Sequence, residues 1–323
     1  MHINIKDLVP NTMASSCYIL LSHSLKQARN GNTYMAAVLG DKTGQLHANF
    51  WNATPEIADV LEDGEFVEAT MSISLYNGAV SATIQHIMPA SLTDEEKAEL
   101  IPSVDHKSAV QQEFMAFVNQ IGGQYRAVVD AALQENPNFT AMPAAKSMHH
   151  AEIGGLMLHT LEMLKIEKGI VEAFKGYQKI DTDLLYSATV LHDIGKIREL
   201  SLSPVGLVSD YSVEGNLLGH ITIGVIYADH LADRCGLDHE KKILLEHMIL
   251  SHHGEAQYGS PKQPMIVEAM ILHEADCISA RMHEFHDALE SIEPGTMSDK
   301  AKGIGVPVYK EINAGNQIEG KQG

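Results

Sequence analysis

The chain has 323 residues, of which 45% are apolar, 20% are charged and 6% are aromatic. This length and apolar content are sufficient for two domains with packed cores. Asp and Glu total 42 against 23 Lys and Arg, which gives a net charge of −19. A surface with this charge does not bind duplex DNA by bulk electrostatics, so a nucleic acid has to be held by a local patch, by stacking or through metal ions.

Targeting and redox features favour the reducing cytoplasm. Residues 1–7 lack the charged and apolar regions of a signal peptide. No apolar run reaches the roughly 18 residues that a membrane span requires, so we expect no membrane partner. The three cysteines, Cys17, Cys235 and Cys277, form no closely spaced pair and are typical of free thiols in a cytoplasmic protein.

Residues 1–90 predict a small β-barrel. Apolar or alternating segments indicate strands, and turn residues such as Asp63-Gly64 separate them. A short helix is predicted at residues 55–61. This combination fits a closed barrel of the OB-fold type, with strands at 17–21, 34–39, 45–51, 66–71 and 79–84.

The pattern changes after the barrel. Residues 91–107 are predicted as a linker with a helical start, and residues 108–302 as an all-helical domain, because apolar residues recur there three or four apart. The polar, glycine-containing residues 303–323 are predicted as a flexible tail. The fold class is therefore multi-domain α+β, a barrel followed by a helical bundle, with helices predicted at 155–175, 183–192, 217–234, 240–251 and 264–290.

Histidines are concentrated in the helical region. The first hundred residues contain four of the 18 histidines, whereas residues 149–286 contain thirteen. The strongest local pattern is HDIGK, from His192 to Lys196, which follows a predicted helix. A helix end followed by glycine can present two adjacent side chains, here His192 and Asp193, into one cavity.

Further histidines and aspartates lie on or at the ends of the predicted helices. A lone helical histidine is more often a surface or core residue than a metal ligand. These positions are candidate ligands because several histidines and aspartates, each in an uncommon local sequence, occur together. Imidazoles with carboxylates and without thiolates favour Mn, Fe, Co, Ni or Zn in an open catalytic site over a closed structural zinc site. The candidate metal ligands are His159, His192, Asp193, His220, His252, His253 and Asp276.

The order of these residues resembles that of the HD superfamily of metal-dependent phosphohydrolases, in its variant with two metals. The resemblance rests on GGLMLHT (154–160), HDIGK (192–196), GNLLGH (215–220) and LSHHG (250–254). More narrowly, the chain is similar to the YhaM-type 3′→5′ exoribonucleases, which also carry an N-terminal OB-fold. VLGDKTG (38–44) is similar to the signature of that barrel.

The resemblance implies two divalent transition-metal ions, Mn²⁺ foremost, with Fe²⁺, Co²⁺, Ni²⁺ or Zn²⁺ as alternatives. It implies that one ion is held by His159, His192, Asp193 and Asp276, and that Asp193 bridges to a second ion held by His220, His252 and His253. Two neighbouring dications repel each other, so a shared carboxylate and a bridging hydroxide are needed between them. The ions lower the pKa of that water, and the hydroxide attacks phosphorus in line.

Charged residues near the motifs are candidates for substrate contact. Lys196 is placed to stabilise the charge on the phosphoryl oxygens in the transition state, so the candidate catalytic residues are Asp193 and Lys196. Arg198, His150 and Glu255 are weaker candidates for substrate binding, since each could equally be an ordinary surface or core residue.

The barrel is expected to bind single strands by stacking bases on exposed rings, each worth about 1–3 kcal/mol. Tyr34, Trp51 and Tyr76 are the candidates. Phe50 and Trp51 are adjacent on one strand and face opposite sides, so one of them belongs to the core. Residues 1–95 contain four Lys and Arg against ten Asp and Glu, a net charge of −6. We therefore expect modest affinity unless a homo-oligomer gathers the cations.

Three functions are compatible with the sequence. The first is a metal-dependent 3′→5′ exoribonuclease that hydrolyses single-stranded RNA, or also single-stranded DNA, to nucleoside 5′-monophosphates. The second is a phosphohydrolase of a cyclic dinucleotide, nucleotide or alarmone, in which the barrel regulates or oligomerises. The third is a nucleic-acid-binding protein with a degenerate metal site, which the presence of a competent residue at every ligand position disfavours.

Overall fold

The computed structural model describes residues 2–28, 31–51, 53–76, 79–146, 150–300 and 303–312. The chain divides into two compact units. The barrel unit comprises Met1–Ser108, Asn138–Leu156 and Ile197–Leu217. The helical unit comprises Ala109–Pro137, Met157–Lys196 and Leu218–Gly323.

Five strands form a closed barrel in the barrel unit. They are β1 Met13–Gln27, β2 Thr33–Asp41, β3 Gly44–Phe50, β4 Phe66–Tyr76 and β5 Ala79–Pro89. The strand order is β1-β2-β3-β5-β4, and the antiparallel pairing of β1 with β4 closes the ring. A short helix, α1 Pro55–Ala58, lies between β3 and β4, and β3 pairs with β5 in parallel. This topology is that of the OB-fold, so the predicted barrel is confirmed.

β1 takes part in both halves of the barrel because it bends. Its first half pairs with β4 and its second half with β2, and the register shifts between Leu20 and Ser22. Such a bulge lets one strand turn a barrel corner. Gly40 of β2 faces the bend, where a Cβ atom would lie 2.6 Å from Cδ1 of Leu21. The missing side chain therefore allows the strands to approach closely.

A second apolar cluster covers the outside of the barrel. Leu100 and Leu207 pack there with Ile19 and Phe66. The segment predicted as a linker, residues 91–107, therefore contains a helix that packs on the barrel. The elements added to the barrel are α2 Asp94–Leu100 and the hairpin of β6 Leu200–Leu202 with β7 Val208–Tyr211.

Eight further helices follow in the part of the chain that the structure describes. They are α3 Lys107–Val118, α4 Gly123–Glu135, α5 Gly155–Ala173, α6 Thr182–Leu191, α7 Lys196–Glu199, α8 Val213–Arg234, α9 His239–Ser251 and α10 Val267–Glu290. Five of them, α5, α6, α8, α9 and α10, match the predicted apolar stripes within a few residues. Residues 184–191 of α6 are all buried, and α6 packs against α4, α9 and α10. The C-terminal end of α6, where His192 follows, is therefore enclosed within the helical unit.

The sequence did not predict two short hairpins. They are β6 with β7, and β8 Met297–Lys300 with β9 Pro307–Tyr309. Strands of three or four residues contain too little alternation to be recognised from periodicity. β9 lies in the segment predicted as a flexible tail, of which residues 313–323 lie outside the described residues. Among the described helices, none has the length and apolar content needed to cross a bilayer.

Candidate metal centre

The seven predicted ligands come from five helices, and all of them belong to the helical unit. Two pairs, His192-Asp193 and His252-His253, directly follow the last turns of α6 and α9. The other three lie within helices, His159 on α5, His220 on α8 and Asp276 on α10.

Asp193 lies at the centre of this group. Its Oδ2 is 3.3 Å from Nε2 of His192 and 3.9 Å from Nε2 of His159. Its Oδ1 is 3.5 Å from Nε2 of His220 and 3.8 Å from Nε2 of His252. The two carboxylate oxygens therefore face two separate groups of imidazoles.

Each of the two groups could hold an ion. In each, three donor atoms lie within 4.8 Å of one another, and the groups are His159 with His192 and Asp193, and His220 with His252 and His253. Oδ1 of Asp276 is 3.3 Å from Nε2 of His159, beside the first group. The structure thus brings all seven predicted ligands together.

Main-chain carbonyl groups orient three of the imidazoles. Nδ1 lies 2.7 Å from a carbonyl oxygen in the pairs His192–Thr189, His252–Ile249 and His253–Tyr258. Because a carbonyl oxygen only accepts hydrogen bonds, Nδ1 carries the proton in each pair. Nε2 then presents a lone pair, which is the form of imidazole that binds a metal.

The residues fit a divalent metal. Nε2 of His192, Nε2 of His252 and Oδ1 of Asp193 are buried and lack a hydrogen-bond partner among the described residues. An unsatisfied buried polar atom costs about 1–3 kcal/mol, so three of them in one place are unfavourable unless a ligand satisfies them. Imidazole nitrogens and carboxylate oxygens suit Mn, Fe, Co, Ni and Zn.

The pKa values of most of the histidines favour the neutral form. Burial, and after it the charge of His253, lowers the pKa of His252 well below its ordinary value. Burial also lowers the pKa values of His159 and His253. His192 differs, because burial is outweighed by Asp193 together with Asp276 and the carbonyl of Thr189, and its pKa is raised. A metal ion competes with that proton for the imidazole.

The two carboxylates are ionised. Burial alone would raise the pKa of Asp193, but Lys196 and His192 hold it well below its ordinary value. Nζ of Lys196 is 2.7 Å from Oδ2 of Asp193. Burial likewise opposes ionisation of Asp276, but the adjacent imidazole of His159 lowers its pKa. An ionised carboxylate is the form that binds a cation.

Two glycines set the position of His220. The turn after His192 approaches α8 so closely that a Cβ atom at Gly195 would overlap the main-chain oxygen of His220. Helix α8 departs from helical geometry at Gly219, with φ 71° and ψ 155°, directly before His220. The kink requires a residue that tolerates positive φ, and the close approach requires one without a side chain.

The three weaker candidates do not share one environment. In the barrel unit, Nη2 of Arg198 lies 2.9 Å from Oε1 of Glu214, and the arginine side chain is 55% exposed. His150, in the same unit, is buried, with Nδ1 4.0 Å from Oε1 of Glu152. Glu255, in the helical unit, is exposed. These contacts do not by themselves indicate a substrate site.

The barrel presents a pair of stacked aromatic rings. The centroids of Tyr34 and Trp51 are 4.8 Å apart, with 31° between the ring planes. Trp51 is 50% exposed while Phe50 is buried, so the prediction that one of these neighbours belongs to the core is confirmed. Tyr76, at the end of β4, is 70% exposed.

Sequence reasoning missed the side chains that surround His159. Nδ1 of His159 lies 3.2 Å from Oγ of Ser279, which donates a hydrogen bond to Glu162. Their spacing was the available signal, since Glu162 follows His159 by three residues and Ser279 follows Asp276 by three residues. Residues three apart on a helix share a face.

A buried carboxyl group on α5 was also not predicted from the sequence. Glu167 of α5 has no exposed surface, and Oγ1 of Thr189 donates a hydrogen bond of 2.6 Å to its Oε1. Oε2 has no partner among the described residues. Burial outweighs the hydrogen bond and raises the pKa of Glu167 to about 8, so the group is a neutral acid at pH 7.

Comparison with known proteins gives the class of the domain that carries the candidate ligands. Residues 156–281 match the family model of the HD domain, and this span contains all seven candidate ligands. The chain is therefore an HD-domain protein, a class that depends on divalent metal.

Relatives extend the match to nearly the whole chain. The chain is 34% identical to "3'-5' exoribonuclease YhaM" of Halalkalibacterium halodurans, over 90% of this chain and 91% of that protein. It is 33% identical to the protein of the same name from Bacillus subtilis, over 88% and 90%. The chain therefore belongs to the YhaM family.

Among solved structures, the second OB-fold domain of replication protein A from Methanococcus maripaludis resembles part of the chain. The match has 20% identity and a TM-score of 0.23, and it covers 29% of this chain and 100% of that domain.

We expect Glu167→Gln to remove a pH dependence of stability. In the unfolded chain this carboxyl ionises near pH 4.5, but in the folded protein it keeps its proton to about pH 8. At a pH between 4.5 and about 8, folding is therefore coupled to the uptake of one proton by Glu167. The favourable contribution of the neutral acid is complete below pH 4.5 and is lost as the pH rises towards 8. Relative to the variant, the wild type should lose up to about 1.4 kcal/mol per pH unit in this window.

Denaturant unfolding in EDTA at about pH 5.5 and about pH 7.5 measures this difference, because EDTA removes the separate pH dependence of metal binding. Glu172→Gln, at an exposed position of the same helix, is the matched control. A stability difference between wild type and Glu167→Gln that stays constant with pH would contradict the expectation.

Proposed function

We propose that the protein is a metal-dependent 3′→5′ exoribonuclease that hydrolyses single-stranded RNA to nucleoside 5′-monophosphates. The observation that carries the proposal is the carboxylate of Asp193, whose two oxygens face two groups of imidazoles. Membership of the YhaM family and the name of the relatives support RNA as the substrate and the 3′ end as the starting point.

The donor atoms support two ion positions that share Asp193. One position would be formed by His159, His192, Asp193 and Asp276, and the other by Asp193, His220, His252 and His253. Imidazole and carboxylate donors without thiolate suit Mn²⁺, and Fe²⁺, Co²⁺, Ni²⁺ or Zn²⁺ could use the same donors. When bound, such ions lower the pKa of water and stabilise negative charge on a phosphoryl group.

Asp193 and Lys196 have different roles at these two ion positions. The shared carboxylate places negative charge between two cations and so reduces their repulsion. Nζ of Lys196 lies 2.7 Å from Oδ2 of Asp193, and the lysine side chain is 18% exposed. A phosphoryl oxygen beside the carboxylate is therefore within reach of the ammonium group, which stabilises the charge that develops in the transition state.

The barrel supplies the part of RNA binding that does not depend on the base sequence of the RNA. Tyr34 and Trp51 form a stacked pair with an exposed indole, and bases of any identity can stack on such a surface. The net charge of −6 over residues 1–95 makes stacking the main source of affinity. Single-stranded DNA can stack in the same way, and contacts to the 2′-OH distinguish the two nucleic acids.

Asp193→Asn tests the catalytic assignment with little change in shape. The variant loses the shared negative charge, so we expect the rate of RNA shortening to fall by about 100-fold or more. The assay follows a 5′-labelled single strand in Mn²⁺ and resolves the lengths of the products. Asp287→Asn is the matched control, since His286-Asp287 is the second His-Asp pair in the chain and is exposed on α10.

Two results would refute the exoribonuclease proposal. One is undiminished activity of Asp193→Asn or of the wild type in saturating EDTA. The other is faster hydrolysis of a cyclic dinucleotide, nucleotide or alarmone than of the RNA strand, which would identify a small-molecule phosphohydrolase.

Trp51→Ala tests the role of the barrel. Loss of one stacking surface should weaken binding of single-stranded RNA by about 1–3 kcal/mol, or roughly 5- to 150-fold, while Trp51→Phe should retain most of the affinity. Fluorescence anisotropy in EDTA measures binding without cleavage. Tyr177→Ala, which removes a ring that is 86% exposed in the helical unit, is the control. Equal affinities of wild type and Trp51→Ala would assign RNA binding to another surface.

We also propose that the protein forms a homo-oligomer through α10. Met270, Ile278, Met282 and Phe285 of this helix are 47%, 41%, 65% and 39% exposed. Their spacing places them on one face, and an exposed apolar stripe of this kind is typical of an interface. The side of α10 that carries Asp276 faces the metal centre.

The charges beside this stripe favour a second copy of the same chain. When two α10 helices pack antiparallel about a point between residues 277 and 278, Met270 of one faces Phe285 of the other. In that arrangement Glu274 faces Arg281, and by symmetry Arg281 faces Glu274, so opposite charges meet twice. The stripe and its charges are therefore self-complementary.

Met282→Glu should dissociate the oligomer, because it places charge in the apolar stripe. Light scattering coupled to size-exclusion chromatography gives the mass in solution. Ile243→Glu, at a position of α9 that is 49% exposed, is the control and should leave the mass unchanged. A monomeric wild type, or an oligomer that persists in Met282→Glu, would exclude this interface.

A further inference from the structure

His159 is oriented differently from the three imidazoles that bond to main-chain carbonyls. Its Nδ1 lies 3.2 Å from the hydroxyl oxygen of Ser279, which is only 2% exposed. The Ser279 hydroxyl donates a hydrogen bond of 2.9 Å to Oε2 of Glu162. Since its proton is committed to Glu162, the hydroxyl oxygen accepts the N–H of His159.

A second histidine holds the far end of this chain of hydrogen bonds. Nε2 of His283 lies 3.1 Å and 3.0 Å from the two carboxylate oxygens of Glu162. The partners come from two helices, with His159 and Glu162 on α5 and with Ser279 and His283 on α10. The contacts thus run from His159 outward between α5 and α10.

This chain of hydrogen bonds determines which nitrogen of His159 is protonated. Because Ser279 accepts at Nδ1, the lone pair is at Nε2, which lies 3.3 Å from Asp276 and 3.9 Å from Asp193. Without the hydroxyl group, the ring loses the contact that fixes both its rotation and its tautomer. Such partners of metal-binding histidines commonly change metal affinity 10- to 100-fold.

We propose that Ser279, Glu162 and His283 are positioning residues that orient His159 and thereby set the affinity of one of the two metal positions. This inference rests on the proposed function, from which it takes the two positions. In the other position, His252 and His253 are held by main-chain carbonyls, which no side-chain substitution removes. The two positions therefore differ in their dependence on side chains.

Isothermal titration calorimetry of the metal-stripped protein with Mn²⁺ tests the inference. The wild type should bind two ions. Ser279→Ala should bind one of them about 10- to 100-fold more weakly and the other unchanged. Glu162→Gln keeps an acceptor oxygen for Ser279 but loses the charge, so we expect a smaller effect in the same direction. Ser291→Ala, at the end of α10, is the matched control.

Activity provides a second measurement. In Ser279→Ala, kcat at limiting Mn²⁺ should fall and should recover when the Mn²⁺ concentration is raised, while KM for RNA stays constant. A purely structural role would not give recovery with metal. Glu162→Gln, at a side chain that is 29% exposed, gives the same test if Ser279→Ala does not fold.

The outcomes separate the inference from the proposed function. A wild type that binds two ions, together with Ser279→Ala and Glu162→Gln variants that bind both with unchanged affinity, overturns the inference alone. Equal weakening of both ions in the variants also overturns it. A wild type that binds fewer than two ions overturns the two-ion proposal and the inference with it.

Discussion

The carboxylate of Asp193 is the group on which the site depends. Burial of a charge costs several kcal/mol unless opposite charge surrounds it, and here Lys196 and the imidazoles on both sides provide that environment. The position is a consequence of the fold, because α6 is buried from Leu184 onward and ends directly before His192. Gly195 then allows the turn to approach α8, which brings His220 to the other side of the carboxylate.

An acidic protein that acts on RNA has to overcome electrostatic repulsion, and each of the two units offers a different local attraction. With a net charge of −19, the surface as a whole repels RNA, so attraction has to be local. In the proposed mechanism the barrel attracts RNA by aromatic stacking, which is insensitive to charge. In the helical unit, Lys196 and the ions that the donor set can hold would concentrate positive charge at the scissile phosphate.

Local patterns in the sequence were enough to predict the five strands of the barrel, five of the longer helices and the seven candidate ligands. Strand alternation, helical spacing and the HDIGK motif each span only a few residues, so they are visible without knowledge of the packing. The adjacent pair Phe50 and Trp51 shows what a local pattern cannot predict. Strand alternation indicated that one of the two side chains is buried, and only the structure identified it as Phe50. The spacing of Glu162 from His159 and of Ser279 from Asp276 is visible in the sequence, but the contact between Ser279 and Glu162 joins residues far apart in the chain and is visible only in the structure.

The most direct test of the central claim is anomalous diffraction from crystals of the full chain soaked in Mn²⁺. Two ions about 3.5–4 Å apart, each coordinated by a different oxygen of Asp193, are the predicted result. A single ion, or two ions of which neither contacts Asp193, would contradict the shared-carboxylate arrangement.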